Sequence, residues 1–521
     1  MANESAATSR SLPARAGTAV KAAVAAVAIL LAAGHHPAPA ATLKVAAVAW
    51  PPGYGNPYIA IAQATSHTRA MVFDPLLRVD HAGALIPALA LRWEPLPPNI
   101  WRFHLRPGVV FSNGEPFDAN AVKAVVEWLK SPAALGQLMS AEVANVTAVR
   151  VVDALTVDLM TATVDAVLPK RLTVVMMTPP KAWAERGVEG FTMNPIGTGA
   201  YLLKDWGQST GRTIIEANPT SWRKPRQIDR VEIYPLREQI RRVQALTSGQ
   251  VDVTQAVGPE DIPMLREQGF TVFVEPEATV MGLFLRNVGH EGKPLNDVRV
   301  RQALNFAVNK DDIATEILRG TSEPAGQGAI LGVVGYNPDL KPYPYDPARA
   351  RMLLREAGYP DGFKLAARLQ PAGPLDAIAI YQKVAADLAA VGVELELRQV
   401  MPNDWVRMYA TGDWDGADAI TGNWNAAAFG DTIRGLDMYA CRRSGTFFCD
   451  RDADRFIDAS NVELDEAKRE TLLQNAMARF HDVAPSLFLV NYSTIVAHKP
   501  SVRNVSLGRA GFAFDAMDIA D

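Results

Sequence analysis

Gly207-Gln208-Ser209-Thr210-Gly211 fits the G-x-S-x-G spacing of serine hydrolases. That spacing supports nucleophilic chemistry at a sharp strand-to-helix turn, which lifts the serine hydroxyl toward a base. Here YLLKDW precedes the run and RTIIEA follows it, and both flanks read as strands. A glycine-bounded polar run between two strands is a hairpin loop, so a hydrolase acting through Ser209 is the minor reading. Asp450, Asp452 and Asp454 begin like a calcium-binding loop. Such a loop needs glycine at its sixth position and glutamate at its twelfth. Arg455 and Asn461 stand there instead, and the stretch reads as an acidic helix start. No His-Glu-x-x-His, P-loop or dinucleotide fingerprint occurs. The eight histidines are scattered, and neither a cofactor nor a metal is expected.

Binding chemistry has better candidates. Residues 412–441, GDWDGADAITGNWNAAAFGDTIRGLDMYAC, set Trp414, Asn423, Trp424, Asn425 and Asp431 in a glycine-broken context. Aromatic rings with short polar side chains on loops suit a small-molecule cleft. The competing possibility is that Trp414 and Trp424 only fill the core. Trp50 and Tyr58 flank the exit of a first strand, TLKVAAVAW. Strand carboxyl ends are where open α/β sheets bind ligands; alternatively these aromatics only shape a loop.

The elements that must hold these residues are legible. Short strands alternate through LLRVD, ALRWEPL and WRFHL, with a turn at His81-Ala82-Gly83. Asp118 caps a helix with Val122, Val125, Val126 and Leu129 on one face. A hairpin turns at Asp153-Ala154. Asp297 caps a helix burying Val300, Ala303, Leu304, Ala307 and Val308. Asp346 caps another, with Pro347 in its first turn and Gly358 at its end. Residues 364–370, 376–392 and 393–400 read strand, helix, strand, which implies a parallel α/β unit.

At 521 residues the chain predicts two or three domains. Its N-terminus has basic residues (Arg10, Arg15, Lys21), an apolar run at 22–34 and Ala38-Pro39-Ala40, the pattern of a cleaved secretory signal. Thirteen apolar residues are few for a membrane span. Loss of residues 1–40 removes those three bases and Glu4, moving the formal charge from −4 to −6. A mildly acidic chain without basic runs is a poor nucleic-acid binder. Cys441 and Cys449 are the only cysteines, and in an oxidising compartment they are expected to pair. Neither stands directly after the cleavage site, so no lipid anchor is expected.

Beyond pattern, DVRVRQALNFAVNKDDI (297–313) and YDPARARMLLREAGYPDGF (345–363) resemble signature blocks of the peptide/nickel family of extracellular solute-binding proteins, family 5. WRFHLRPGVVFSNGEPFDANAV, NPIGTGAYLLKDW with the Gly249–Val253 strand exit, and residues 452–500 are similar to further blocks in the expected order. The resemblance implies a bilobed α/β periplasmic binding protein, type II-like and of cluster C, with an extra third domain. Lobe I would be 42–75, 197–286 and 488–521, the extra domain 76–196, and lobe II 287–487, with hinge crossings near 286 and 487. It implies a monomeric periplasmic receptor that hands a short peptide or peptide-like solute to an ABC permease with its ATPase subunits at the inner membrane. A metal chelate, an opine-like conjugate or an oligosaccharide are the alternative solutes. In peptide-binding members an aspartate of the Trp-rich region meets the ligand ammonium, and Asp431 is the match. Those members carry Asp-Pro-Asp there, whereas this chain has Gly430-Asp431-Thr432-Ile433, which leaves the solute open. The ligand residues expected are Trp50, Tyr58, Asn423, Trp424 and Asp431.

Overall fold

Pro276 lies within a strand of fifteen residues, Thr271–Leu285, and this one residue shapes the middle of the molecule. A proline cannot donate to a ladder, so strands accommodate it at bulges. The strand pairs antiparallel with Ser486–His498, from Thr271↔His498 to Pro276↔Ser493. The register then shifts to Val280↔Asn491 and again to Gly282↔Phe488. These two strands occupy the centre of a ten-stranded sheet. On one side follow Ala419–Asn425, Phe363–Leu369 and Val393–Gln399. On the other follow Val253–Gln255, Ala41–Ala47, Ile228–Pro235, Thr213–Ala217 and Tyr201–Asp205.

The computed structural model describes residues 41–51, 53–59, 67–80, 83–289, 291–370, 377–508 and 511–520, without the side chains of Pro402, Asn403 and Val406. The secretory segment and the His81-Ala82 part of the expected turn lie outside the described residues. Thr42–Asp521 forms one compact unit.

The local expectations hold. Asp118 accepts from the Asn120 and Ala121 amides at the start of Ala119–Leu129. Asp297 caps Val298–Ala307 through the Arg299 amide, and Asp346 caps Pro347–Glu356 through the Arg349 amide. Phe363–Leu369 and Val393–Gln399 are parallel, joined by the helix Ala377–Ala389. Residues 207–211 connect two antiparallel strands. Asp450 is the N-cap of Arg451–Val462, accepting from the Ala453 amide.

The stretch expected to form the extra domain carries a separate sheet of Ala90–Leu96, Ile100–Leu105, Thr156–Thr161 and Val146–Asp153. It is not packed on lobe I alone. One apolar cluster runs from its Phe103, Val122 and Leu168 to Trp424, Phe429 and Phe480 of lobe II. The register breaks fall at 276–282 and 488–493, inside the central strands. The second half of Thr271–Leu285 already pairs with Ala419–Asn425 of lobe II.

Candidate functional site

The helix His67–Val72 packs against a glycine turn, and this contact sets the wall of a cleft. A Cβ on Gly199 would stand 2.1 Å from the Met71 carbonyl oxygen, and one on Gly197 2.0 Å from that of Val72. Only glycine allows such an approach. Close approach buries Asp74, fully enclosed just beyond the helix. Asp74 accepts from Thr198 Oγ1 at 2.8 Å and Trp222 Nε1 at 2.9 Å. It is paired with Arg78 at 2.7 Å and Arg223 at 3.0 Å. Burial works to raise its pKa, but Arg223 and Arg78 outweigh burial and hold the carboxyl below its ordinary value.

These groups border a cavity of about 470 Å3. Arg69 and Arg223 line it from the stretches expected to form lobe I, Arg78 and Met176 from the expected extra domain, and Ala428 from the expected lobe II. A second recess of about 260 Å3 shares Val79, Asp80 and Gly508 with the first. Its walls include Glu275 and Glu277 from the bulged central strand, and the exposed Leu331. Burial pushes the Glu277 carboxyl up to about 7, opposed by a hydrogen bond with Thr494. The cleft therefore has guanidinium groups at one end and carboxyl groups on the central strand.

Expected ligand residues sit elsewhere. Tyr58 is fully buried, its hydroxyl donating to Met176 O at 3.1 Å and lying 3.0 Å from Thr178 Oγ1. Trp424 is 1% exposed and stacks on Tyr439, with centroids 4.3 Å apart. Both fill the core in this structure, as does Trp414. Asp431 is enclosed and already paired: Lys170 Nζ donates to it at 2.7 Å, and Arg469 Nη1 and Nη2 at 2.6 and 3.2 Å. Burial alone would raise its pKa; Lys170 and Arg469 reverse this and hold it far below the carboxylate range. With both oxygens engaged, Asp431 has nothing left to offer a ligand ammonium. Trp50 donates Nε1 to Trp206 O at 2.9 Å beside a separate, much smaller recess. Asn423 is half-buried, opposite Met281 in the sheet. Neither borders the two recesses.

Residues 84–446 match the family profile "Bacterial extracellular solute-binding proteins, family 5 Middle". The chain belongs to this family. This family-5 protein is 28% identical to the dipeptide-binding protein of Escherichia coli strain K12 over 320 residues, 59% of this chain and 58% of that one. The match thus spans a little more than half of that relative. It is 27% identical to the nickel-binding periplasmic protein of the same organism over 497 residues, 88% of this chain and 91% of the relative. Among solved structures it resembles the ABC transporter-associated periplasmic binding protein DppA from Helicobacter pylori in complex with peptide STSA. That likeness has a TM-score of 0.75 at 19% identity and covers 92% of this chain and 98% of the other. The fold is the bilobed α/β one, and the role of the family-5 protein is that of a substrate-binding receptor. No helix among the described residues is long and apolar enough to cross a membrane.

The cleft residues that sequence reasoning missed are Arg69, Arg78, Arg223 and Glu277. One local signal was available: Asp74 and Arg78 interrupt the apolar run MVFDPLLRV at i, i+4 spacing. Glu277 carried none, since a glutamate in a strand is ordinarily solvated.

The raised Glu277 carboxyl has a measurable consequence. Its folded value exceeds the unfolded one, so the folded state holds the extra proton and stability falls as pH rises from about 4.5 through about 7. Glu277→Gln removes that dependence. We expect its thermal midpoint to gain on the native chain at pH 8 and to match it near pH 4.5. An equal shift at both pH values would show that Glu277 is not held protonated.

Proposed function

We propose that this family-5 protein is the periplasmic receptor of an ABC importer, exported through a cleaved signal peptide, without a lipid anchor. It captures a short peptide or peptide-like solute and delivers it as a monomer to the permease and its ATPase subunits. The supporting observation is a cavity of about 470 Å3 lined jointly by both lobes and the extra domain. A solute there would touch all three parts at once. It would stabilise the closed arrangement only by contacts that the open one lacks. The register breaks at 276–282 and 488–493 are where we place the hinge, because ladder bonds already missing cost nothing to bend.

The receptor would work without bond chemistry. Ser209 is exposed in the turn between two antiparallel strands, which is not a strand-to-helix elbow. A metal chelate is the second solute class, favoured by the 27% identity to the nickel-binding protein and by the guanidinium-lined end of the cleft.

Native mass spectrometry of the purified protein, followed by release of whatever it carries, tests the assignment. A set of short peptides is the expected cargo. Added back to stripped protein, that cargo should reduce the radius of gyration in small-angle scattering and raise the melting temperature. Binding without compaction would overturn hinge closure, and turnover of the cargo, lost in Ser209→Ala, would overturn the receptor assignment.

A further inference from the structure

We infer that Arg69 receives a carboxylate of the bound solute, which makes the solute class an organic acid with an unblocked carboxyl group, such as a free peptide. This rests on the receptor role proposed above and names the chemistry of that same cleft.

A charge count around the cavity leads to it. Three guanidinium groups border the cleft, and two carboxylates serve them. Arg78 pairs with Asp74, and Arg223 pairs with both Asp74 and Asp515. Arg223 also donates Nη2 to Ala70 O at 3.1 Å. Arg69 is left over. The residue is 9% exposed. Nη1 donates to Pro57 O at 3.1 Å, and Nε has no partner. No ion pair joins it to a carboxylate among the described residues, and burial alone draws its pKa down to about 10. Asp80 also borders the cavity, but it accepts from the Ala84 amide at 2.9 Å.

A buried cation without a counter-ion is expensive, and proteins normally pair it. A guanidinium cannot escape by losing its proton at neutral pH. The fork left open on Arg69 matches a carboxylate, whose two oxygens accept parallel hydrogen bonds at roughly twice neutral strength. The cost of holding Arg69 uncompensated in the empty receptor would then be relieved only by an anionic solute. Neutral and cationic solutes of the same shape would be rejected.

The test uses full-length mature protein, unfolded and refolded to strip it. The probes are mixed pools of free dipeptides and tripeptides, the same pools amidated at the C-terminus, glutathione, and nickel–histidine. Affinity is read by calorimetry, and compaction by scattering. The native protein is expected to bind at least one free acid tenfold or more tightly than its amide. In Arg69→Gln acid and amide should bind within about twofold of each other, while the empty variant melts at or above the native temperature. Should that variant fail to fold, Arg69→Lys serves, because it keeps the charge and loses the fork; its acid preference should fall several-fold. Equal binding of acid and amide by the native protein, or a full tenfold preference surviving in Arg69→Gln or Arg69→Lys, overturns the inference and leaves the receptor role standing. If no probe binds or compacts the protein, the receptor proposal itself fails along with the inference.

Discussion

Asp431→Asn is expected to cost about 3–5 kcal/mol of folding stability, the usual result of removing one member of a buried ion cluster. Asp431 is fully enclosed between Lys170, 2.7 Å away, and Arg469, 2.6 Å away. Neutralising it strands two cations in a region of low dielectric. The amide keeps one acceptor oxygen and replaces the other by an NH2 donor, where the carboxylate accepts through both oxygens. Equilibrium urea unfolding at pH 7 would read the loss as a lower midpoint at an unchanged slope. A change below about 1 kcal/mol would mean that water screens the cluster. The same geometry fixes a pH dependence. The folded pKa of Asp431 is depressed, so its contribution is complete above the unfolded value of about 4. It is lost as pH falls below that value through the folded pKa. Asp74, also depressed, acts in the same direction.

The cluster also ties parts together. Lys170 lies in the stretch 76–196 expected to form the extra domain, Asp431 and Arg469 in the stretch 287–487 expected to form lobe II. Arg171–Asp437 at 3.0 Å and Glu142–Arg434 at 3.2 Å run beside it, and Ala166 donates its amide to Asn461 O at 2.8 Å. Asp431→Asn therefore weakens the seam on which the Trp-rich stretch is mounted.

Replacing Cys441 and Cys449 together by serine is expected to cost about 2.5 kcal/mol, the chain-entropy value for so short a loop. The two are disulfide-bonded at a separation of eight residues. Within the loop, Phe447 and Phe448 are buried, and Phe447 stacks on Phe284 with centroids 5.9 Å apart. Asn287 holds the loop from outside, donating to Cys449 O at 3.2 Å and accepting its amide at 3.0 Å. These contacts survive the substitution, so the native fold should persist with a lower urea midpoint. A loss of native near-ultraviolet dichroism would show that the covalent link is required for the fold itself.

The local signals were strong where physics is local. Asp118, Asp297 and Asp346 cap helices because a carboxylate can reach an amide two or three residues on, whatever the rest of the chain does. The hairpin at Asp153-Ala154 and the loop around Ser209 follow from alternation and turn residues. The family resemblance rests on blocks of exact wording, and those blocks carry the bilobed fold and the receptor role. The disulfide followed from two cysteines and the expectation of an oxidising compartment.

Site residues were another matter. Trp424 and Asp431 have the types a ligand wall would use, yet one stacks on Tyr439 and the other meets Lys170, 261 positions away. No spacing within the stretch 412–441 discloses such a partner. Arg69 drew no notice in sequence because an arginine reads as solvated until its surroundings are known. Only the folded chain shows that Arg78 and Arg223 consume the nearby carboxylates and leave Arg69 without one. The break in the central ladder was hidden for the same reason, since a register break needs both strands, one near 276 and the other near 493. By itself, then, the sequence determined the elements, the family and the role, which depend on neighbours along the chain. Tertiary structure decided which charges are spent and which stay open, because burial and ion pairing are properties of residues brought together across hundreds of positions.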